Sequence, residues 1–188
     1  MGKYRLYIVA AAVVGVLGGL AGALVWHLER PYRFGVVQEG VLYRSGQPRG
    51  HEWDTLRDTY GIKTVIDLRE LKPSRGWSIE QDRFCREHEI RLVHIPFPNM
   101  DAPTPRQWQA FLEIVRDPAN WPVLVHCEVG TARTGMMVGA YRIVVQGWDF
   151  DSALREAREN NFNDEKHYRY VQFWKELALA GTASPAVH

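Results

Sequence analysis

Cys127 and Arg133 have five residues between them in the run His126-Cys127-Glu128-Val129-Gly130-Thr131-Ala132-Arg133-Thr134-Gly135. A thiolate is a strong nucleophile, and a guanidinium is a planar fork of donors that grips two phosphoryl oxygens at once. Held at the two ends of one short loop, this pair is equipped for phosphoryl transfer to sulfur. Just before a helix N-terminus, inside a ring of backbone N–H groups, the thiolate form is favoured. The N–H groups of Glu128, Val129, Gly130, Thr131, Ala132 and Arg133 are also ligands for phosphate oxygens. Gly130 lets the loop take a conformation that a side chain would oppose. The Thr134 hydroxyl is expected to donate to the cysteine sulfur and stabilise it as a leaving thiolate. His126 either orients the loop or packs in the core.

Such a loop needs a strand to carry it in and a helix to carry it out. Trp121 and Val123–Val125 form an apolar strand-like run, and Met136, Met137, Val138, Ala140, Tyr141, Ile143 and Val144 form a helix-like one. Upstream, strands are expected at 41–43, 62–68 and 91–95, and helices at 51–60 and 77–89. Pro96–Pro103 reads as a proline-punctuated loop. Thr104 then looks like an N-cap with Pro105 at the first helical position, followed by Trp108, Phe111, Leu112 and Val115 at helical spacing. Three helices are expected after the cysteine loop, at about 134–146, 151–160 and 164–179. The alternation implies an α/β fold with a central, mostly parallel sheet flanked by helices.

The 188 residues suffice for one domain with a real core. Residues 1–5 are short and basic. Residues 6–26 carry no charge and are long enough to cross a bilayer, so they read as a single-pass transmembrane anchor. Ala21-Gly22-Ala23 also fits a signal-peptide cleavage pattern, which would make the protein secreted or periplasmic. The side of the membrane facing the domain is open. Residues 27–40 read as a linker, 41–180 as the domain and 181–188 as a flexible tail. Beyond residue 26 the chain holds 21 basic and 22 acidic residues, too even a balance for a nucleic-acid partner. Cys85 and Cys127 are too few for a disulfide framework, and Cys85 reads as a buried helix residue. The seven histidines show no metal-ligand spacing, so neither metal nor cofactor is expected.

His-Cys-x5-Arg-Thr-Gly resembles the signature of the cysteine-based protein tyrosine phosphatase superfamily, over roughly residues 41–178. The resemblance implies a phosphocysteine intermediate and a general acid, an aspartate on a mobile loop upstream of the cysteine. Asp101 is the only carboxylate between Ile95 and Arg106, which makes it the candidate acid/base. Asp67 is the runner-up, although Asp67 and Arg69 are better suited to holding the sheet edge together. Pro-Asn-Met-Asp departs from the Trp-Pro-Asp pattern of the longer tyrosine-specific enzymes. It is more like the acid loop of compact dual-specificity phosphatases, and the segment Leu42–Pro48 looks like the opening strand of compact, often bacterial members. The implied substrates are phosphotyrosine or phosphoserine/threonine in proteins. The alternatives are a singly phosphorylated lipid or small metabolite, or a silent phosphate-binding pseudophosphatase. Glu128 and the lack of lysine in the loop weigh against a polyphosphorylated ligand.

Overall fold

The structure is a computed structural model. It describes residues 30–183 and, ahead of them, Tyr4, Tyr7, Ile8, residues 12–19 and Gly22. The chain divides into two units, 1–30 and 31–188, and everything below concerns the second. In the first, residues 12–19 are helical. Among the described residues no helix is long and apolar enough to cross a membrane. The structure therefore gives the expected membrane segment no support; much of 6–26 lies outside the described residues.

Among the described residues five strands form one sheet in the order β1-β2-β5-β3-β4. They are β1 (Gly35–Gln38), β2 (Leu42–Ser45), β3 (Thr64–Asp67), β4 (Arg91–His94) and β5 (Val123–His126). β1 is antiparallel to β2, and all other pairs are parallel. β1 corrects the linker expected over 27–40. It is an edge strand whose Val36 is 47% exposed, so it has little periodicity of its own. Its pairing with β2, Gly35 to Arg44 and Val36 to Tyr43, makes it a strand. The turn between them passes through Gly40 at φ 70°.

The strands alternate their side chains between two cores, as the pleat requires. Tyr43, Val65 and Leu124 point to one face, where α1 (Glu52–Asp58) supplies Trp53 and Leu56 and α2 (Gly76–Glu87) supplies Cys85. Leu42, Ile66, Val123 and Val125 point to the other. That face is covered by α3 (Pro105–Arg116), α4 (Ala132–Val144), α5 (Phe150–Glu159) and α6 (Tyr168–Ala183). The Thr104 cap is present as a full capping box with Gln107, behind Pro105. α4 is buried from Thr134 through Ile143, and α6 presses on it closely. A Cβ on Gly139 would fall 2.2 Å from the Trp174 ring. α6 starts at Tyr168 rather than 164 and runs through Ala183, into the expected tail; residues 184–188 lie outside the described residues.

Candidate active site

β5 lies between β2 and β3, and its last residue, His126, is level with Ser45 and Asp67 at the carboxyl edge of the parallel strands. Chain ends at that edge are where open α/β sheets build sites. Cys127 follows directly, 3% exposed, and α4 begins at Ala132. Arg133 and Thr134 thus sit in the first helical turn, two residues earlier than expected. The Gly130 N–H donates to Cys127 Sγ at 3.3 Å.

The turn after β2 braces the loop from outside. The Gln47 N–H donates to the Glu128 carbonyl at 3.1 Å, and Arg44 Nη2 donates to the Gly130 carbonyl at 2.7 Å. Arg44 is 4% exposed, and burial lowers its pKa to about 10 against the opposing pull of Glu156 and Cys127. Sequence reasoning missed it. The available signal was a guanidinium inside the short strand segment Leu42-Tyr43-Arg44-Ser45.

Gly130 has φ 81°, and a Cβ there would lie 2.6 Å from Gly46 N and 2.7 Å from the Ser45 carbonyl carbon. Both neighbours are backbone and cannot swing aside. Gly130→Ala is expected to cost about 2–4 kcal/mol of stability, from left-handed strain and overpacking. Activity should fall by about tenfold or more as the loop shifts. Urea unfolding and initial rates on one sample check both.

Asp67 is fully buried and accepts from the Arg69 N–H (3.0 Å), Arg69 Nε (3.0 Å), Arg69 Nη2 (2.9 Å) and Gln81 Nε2 (3.0 Å). Burial opposes its ionisation. The neighbouring His126 ring, the Arg69 fork and Gln81 outweigh it and bring the pKa to about 2. Such a carboxylate has no proton to give at neutral pH, so the runner-up general acid is instead a brace, as its pairing with Arg69 suggested. Arg69 also stacks over the Trp77 ring at 3.4 Å. Arg133 Nη1 donates to the carbonyl of the intervening Leu68 at 3.3 Å, which ties this network to the loop.

A pKa depressed below its ordinary 3.8 gives stability that is present above that value and lost as the pH falls toward 2. Asp67→Asn should cost about 3 kcal/mol at neutral pH, because it strands a buried guanidinium. The deficit should shrink near pH 2, where the wild-type carboxylate is itself half protonated. Denaturant melts at pH 7 and pH 2.5 measure this, and an equal deficit at both would contradict it.

His126 is fully buried, edge-on to Trp53, with Nδ1 3.3 Å from the Cys127 carbonyl. Burial lowers its pKa and keeps the ring neutral at physiological pH. Core packing and loop contact thus coexist in one side chain. Thr134 Oγ1 is buried and has no hydrogen-bond partner among the described residues, so it does not make the expected bond to sulfur.

A cavity of about 210 Å³ lies over Cys127, walled by Asn99, the loop residues Glu128–Arg133 except Gly130, and Lys166 and His167. Lys166 and His167 were not anticipated; they come from the turn ahead of α6. A second cavity of about 440 Å³ shares Asn99, Glu128 and Arg133 with it and adds Arg69, Lys72 and Arg75. Asp101 lines neither. Its loop follows β4 as expected, but the carboxylate accepts from Arg169 Nη1 on α6 and is 46% exposed. The structure brings Cys127, Arg133 and the loop amides together, and leaves Asp101 outside.

The strand–loop–helix around Cys127, on a mixed sheet with helices on both faces, defines the cysteine-based tyrosine phosphatase fold of dual-specificity type. A family model described as a DSP-PTPase phosphatase fused to NAD+ kinase matches residues 33–176, and the chain belongs to this family. The match begins ahead of the domain start expected at residue 41.

The chain is 33% identical over 138 residues to inositol diphosphatase DSP3 of Arabidopsis thaliana, covering 71% of this chain and 64% of that protein. The dual specificity protein phosphatase TpbA of Pseudomonas aeruginosa matches over 129 residues, 69% of this chain and 55% of TpbA. Identity is 30% for the UCBPP-PA14 protein and 52% for the PAO1 protein. The chain therefore spans less than two thirds of either relative. The core catalytic domain of the PP-IP phosphatase SIW14 from S. cerevisiae superposes with a TM-score of 0.66 at 25% identity, over 82% of this chain and 93% of that one.

Proposed function

We propose that this protein is a cysteine-dependent phosphatase that hydrolyses phosphomonoesters of proteins, phosphotyrosine or phosphoserine/threonine, through a phosphocysteine intermediate. The observation that carries the reading is Cys127 Sγ held by the Gly130 N–H beneath a cavity walled by Arg133. In the first step the sulfur attacks phosphorus, the S–P bond forms and the ester P–O bond breaks. Asp101, brought in by its loop, protonates the departing oxygen. Arg133 and the loop amides hold the equatorial oxygens as charge builds on them. In the second step Asp101 accepts a proton from water, the water oxygen bonds to phosphorus, and the S–P electrons return to Cys127. Thr134 donates to the departing sulfur once the intermediate has formed.

TpbA's name and its crystal structure with phosphotyrosine support the protein substrate. The names of DSP3 and SIW14 support a second reading, a small phosphorylated metabolite. A panel of phosphopeptides and small phosphoesters compared by kcat/KM separates them. Acid quenching during turnover should trap phosphate on Cys127, and its absence under rapid turnover would refute the covalent step.

A further inference from the structure

We propose that the 440 Å³ cavity beside the cysteine loop is a second anion subsite, which binds a carboxylate or phosphate carried by the same substrate next to the scissile phosphate. The proposal rests on the phosphatase reading above and adds what the substrate must look like. Three segments distant in sequence meet there: the acid loop at Asn99, the cysteine loop at Glu128 and Arg133, and the β3–α2 connection at Arg69, Lys72 and Arg75.

The β3–α2 side leaves donors that the protein does not use. Arg69 is 6% exposed and commits Nε and Nη2 to Asp67 and Gln47, while its Nη1 makes no hydrogen bond among the described residues. Its fork is locked by that pairing and by the Trp77 ring beneath it. Lys72 and Arg75 form no ion pair among the described residues, although Glu70 and Glu128 share the rim. The twelve-residue helix α2 begins at Gly76, directly after Arg75. Its N-terminus has no side-chain cap and no acid in its first turn. Ser78 and Ile79 donate to the Arg75 carbonyl, which leaves the Gly76 and Trp77 N–H groups and the positive end of the helix dipole to add to the same pole.

The expectation that this rim disfavours extra negative charge came from the loop alone, where Glu128 stands without a lysine. The cations come instead from a segment some sixty residues upstream. Because the two cavities share Arg133, one ligand can place a phosphate over Cys127 and a second anion toward Lys72 and Arg75. A carboxylate flanking a phosphorylated residue in a protein supplies that chemistry, as does a second phosphate on a small polyol.

The test compares matched substrates on the full chain. One pair is a phosphotyrosine peptide with flanking glutamates and the same peptide with glutamines. The other is a cyclitol bisphosphate and its monophosphate. For the wild type, kcat/KM should favour the doubly anionic member of at least one pair by about tenfold or more. Lys72→Gln/Arg75→Gln should bring that ratio toward one, mainly through KM. Preference confined to the peptide pair assigns the subsite to proteins, and preference confined to the cyclitol pair assigns it to small polyphosphates.

Ratios near one in the wild type, or ratios unchanged in the double variant, overturn the proposal. If the double variant does not fold, Lys72→Gln and Arg75→Gln singly are read the same way. Hydrolysis of para-nitrophenyl phosphate by the wild type and not by Cys127→Ser keeps the two readings separate: the phosphatase can stand while the subsite falls.

Discussion

Cys127→Ser is expected to abolish turnover, by about 10⁵-fold or more, the scale seen when an essential nucleophile is removed. A serine hydroxyl is not ionised at neutral pH, and among the described residues no carboxylate or imidazole is hydrogen-bonded to the side chain at this position to activate it. Asn99, Glu128, Arg133, Lys166 and His167 wall the cavity over it, the Gly130 N–H holds the sulfur, and Asp67 is committed to Arg69. The substitution nearly preserves volume at a site that is 3% exposed, so the loop should keep its shape. The Gly130 N–H, which now donates to sulfur, finds an oxygen acceptor in its place. Binding of phosphate or vanadate should therefore persist while hydrolysis disappears. Isothermal titration with phosphate and a para-nitrophenyl phosphate assay make the comparison. A serine variant as active as the wild type would end the covalent proposal.

The second large effect is expected at Asp101. Asp101→Asn should lower kcat by about 10²–10⁴-fold, the usual worth of a positioned general acid. The loss should be greatest for alkyl phosphates, whose leaving oxygen needs the proton most, and smallest for nitrophenyl phosphate. In the structure the carboxylate sits on Arg169, whose guanidinium is pushed further up by hydrogen bonds to Tyr168 and to Asp101 itself. If Asp101 is the acid, its loop has to release Arg169 and turn toward Cys127 before the proton is given. Tyr170, which donates to the Pro98 carbonyl at 3.1 Å, stands at the root of that loop. A ratio of alkyl to nitrophenyl rates that is the same for the variant and the wild type would remove Asp101 from the chemistry.

The parts of this molecule that could be read in advance are governed by short-range rules. Cys127, Gly130 and Arg133 act within one loop, so their spacing alone implies the cradle. Thr104 and Pro105 announce a helix start because capping involves only the next three residues. Strands of β-branched residues alternating with helices imply parallel pairing, since parallel neighbours need a crossover. Each of these elements was found within a few residues of its expected place.

The misses have a common cause. β1 is a strand only because β2 lies beside it. Arg44 acts on Gly130 across 86 positions of chain. Lys166, His167, Lys72 and Arg75 reach the site from turns whose local pattern says nothing about their direction. Asp101 could be located on its loop, but its partner, Arg169, is 68 positions away. The sequence by itself determined that the chain carries a thiol and a guanidinium on one short loop between a strand and a helix, because that loop is built from adjacent residues. Which charges surround it, and whether the acid is in or out, was decided only by the tertiary structure. Coulomb interactions and close packing depend on distance in space, and the chain brings its distant turns together only when it folds.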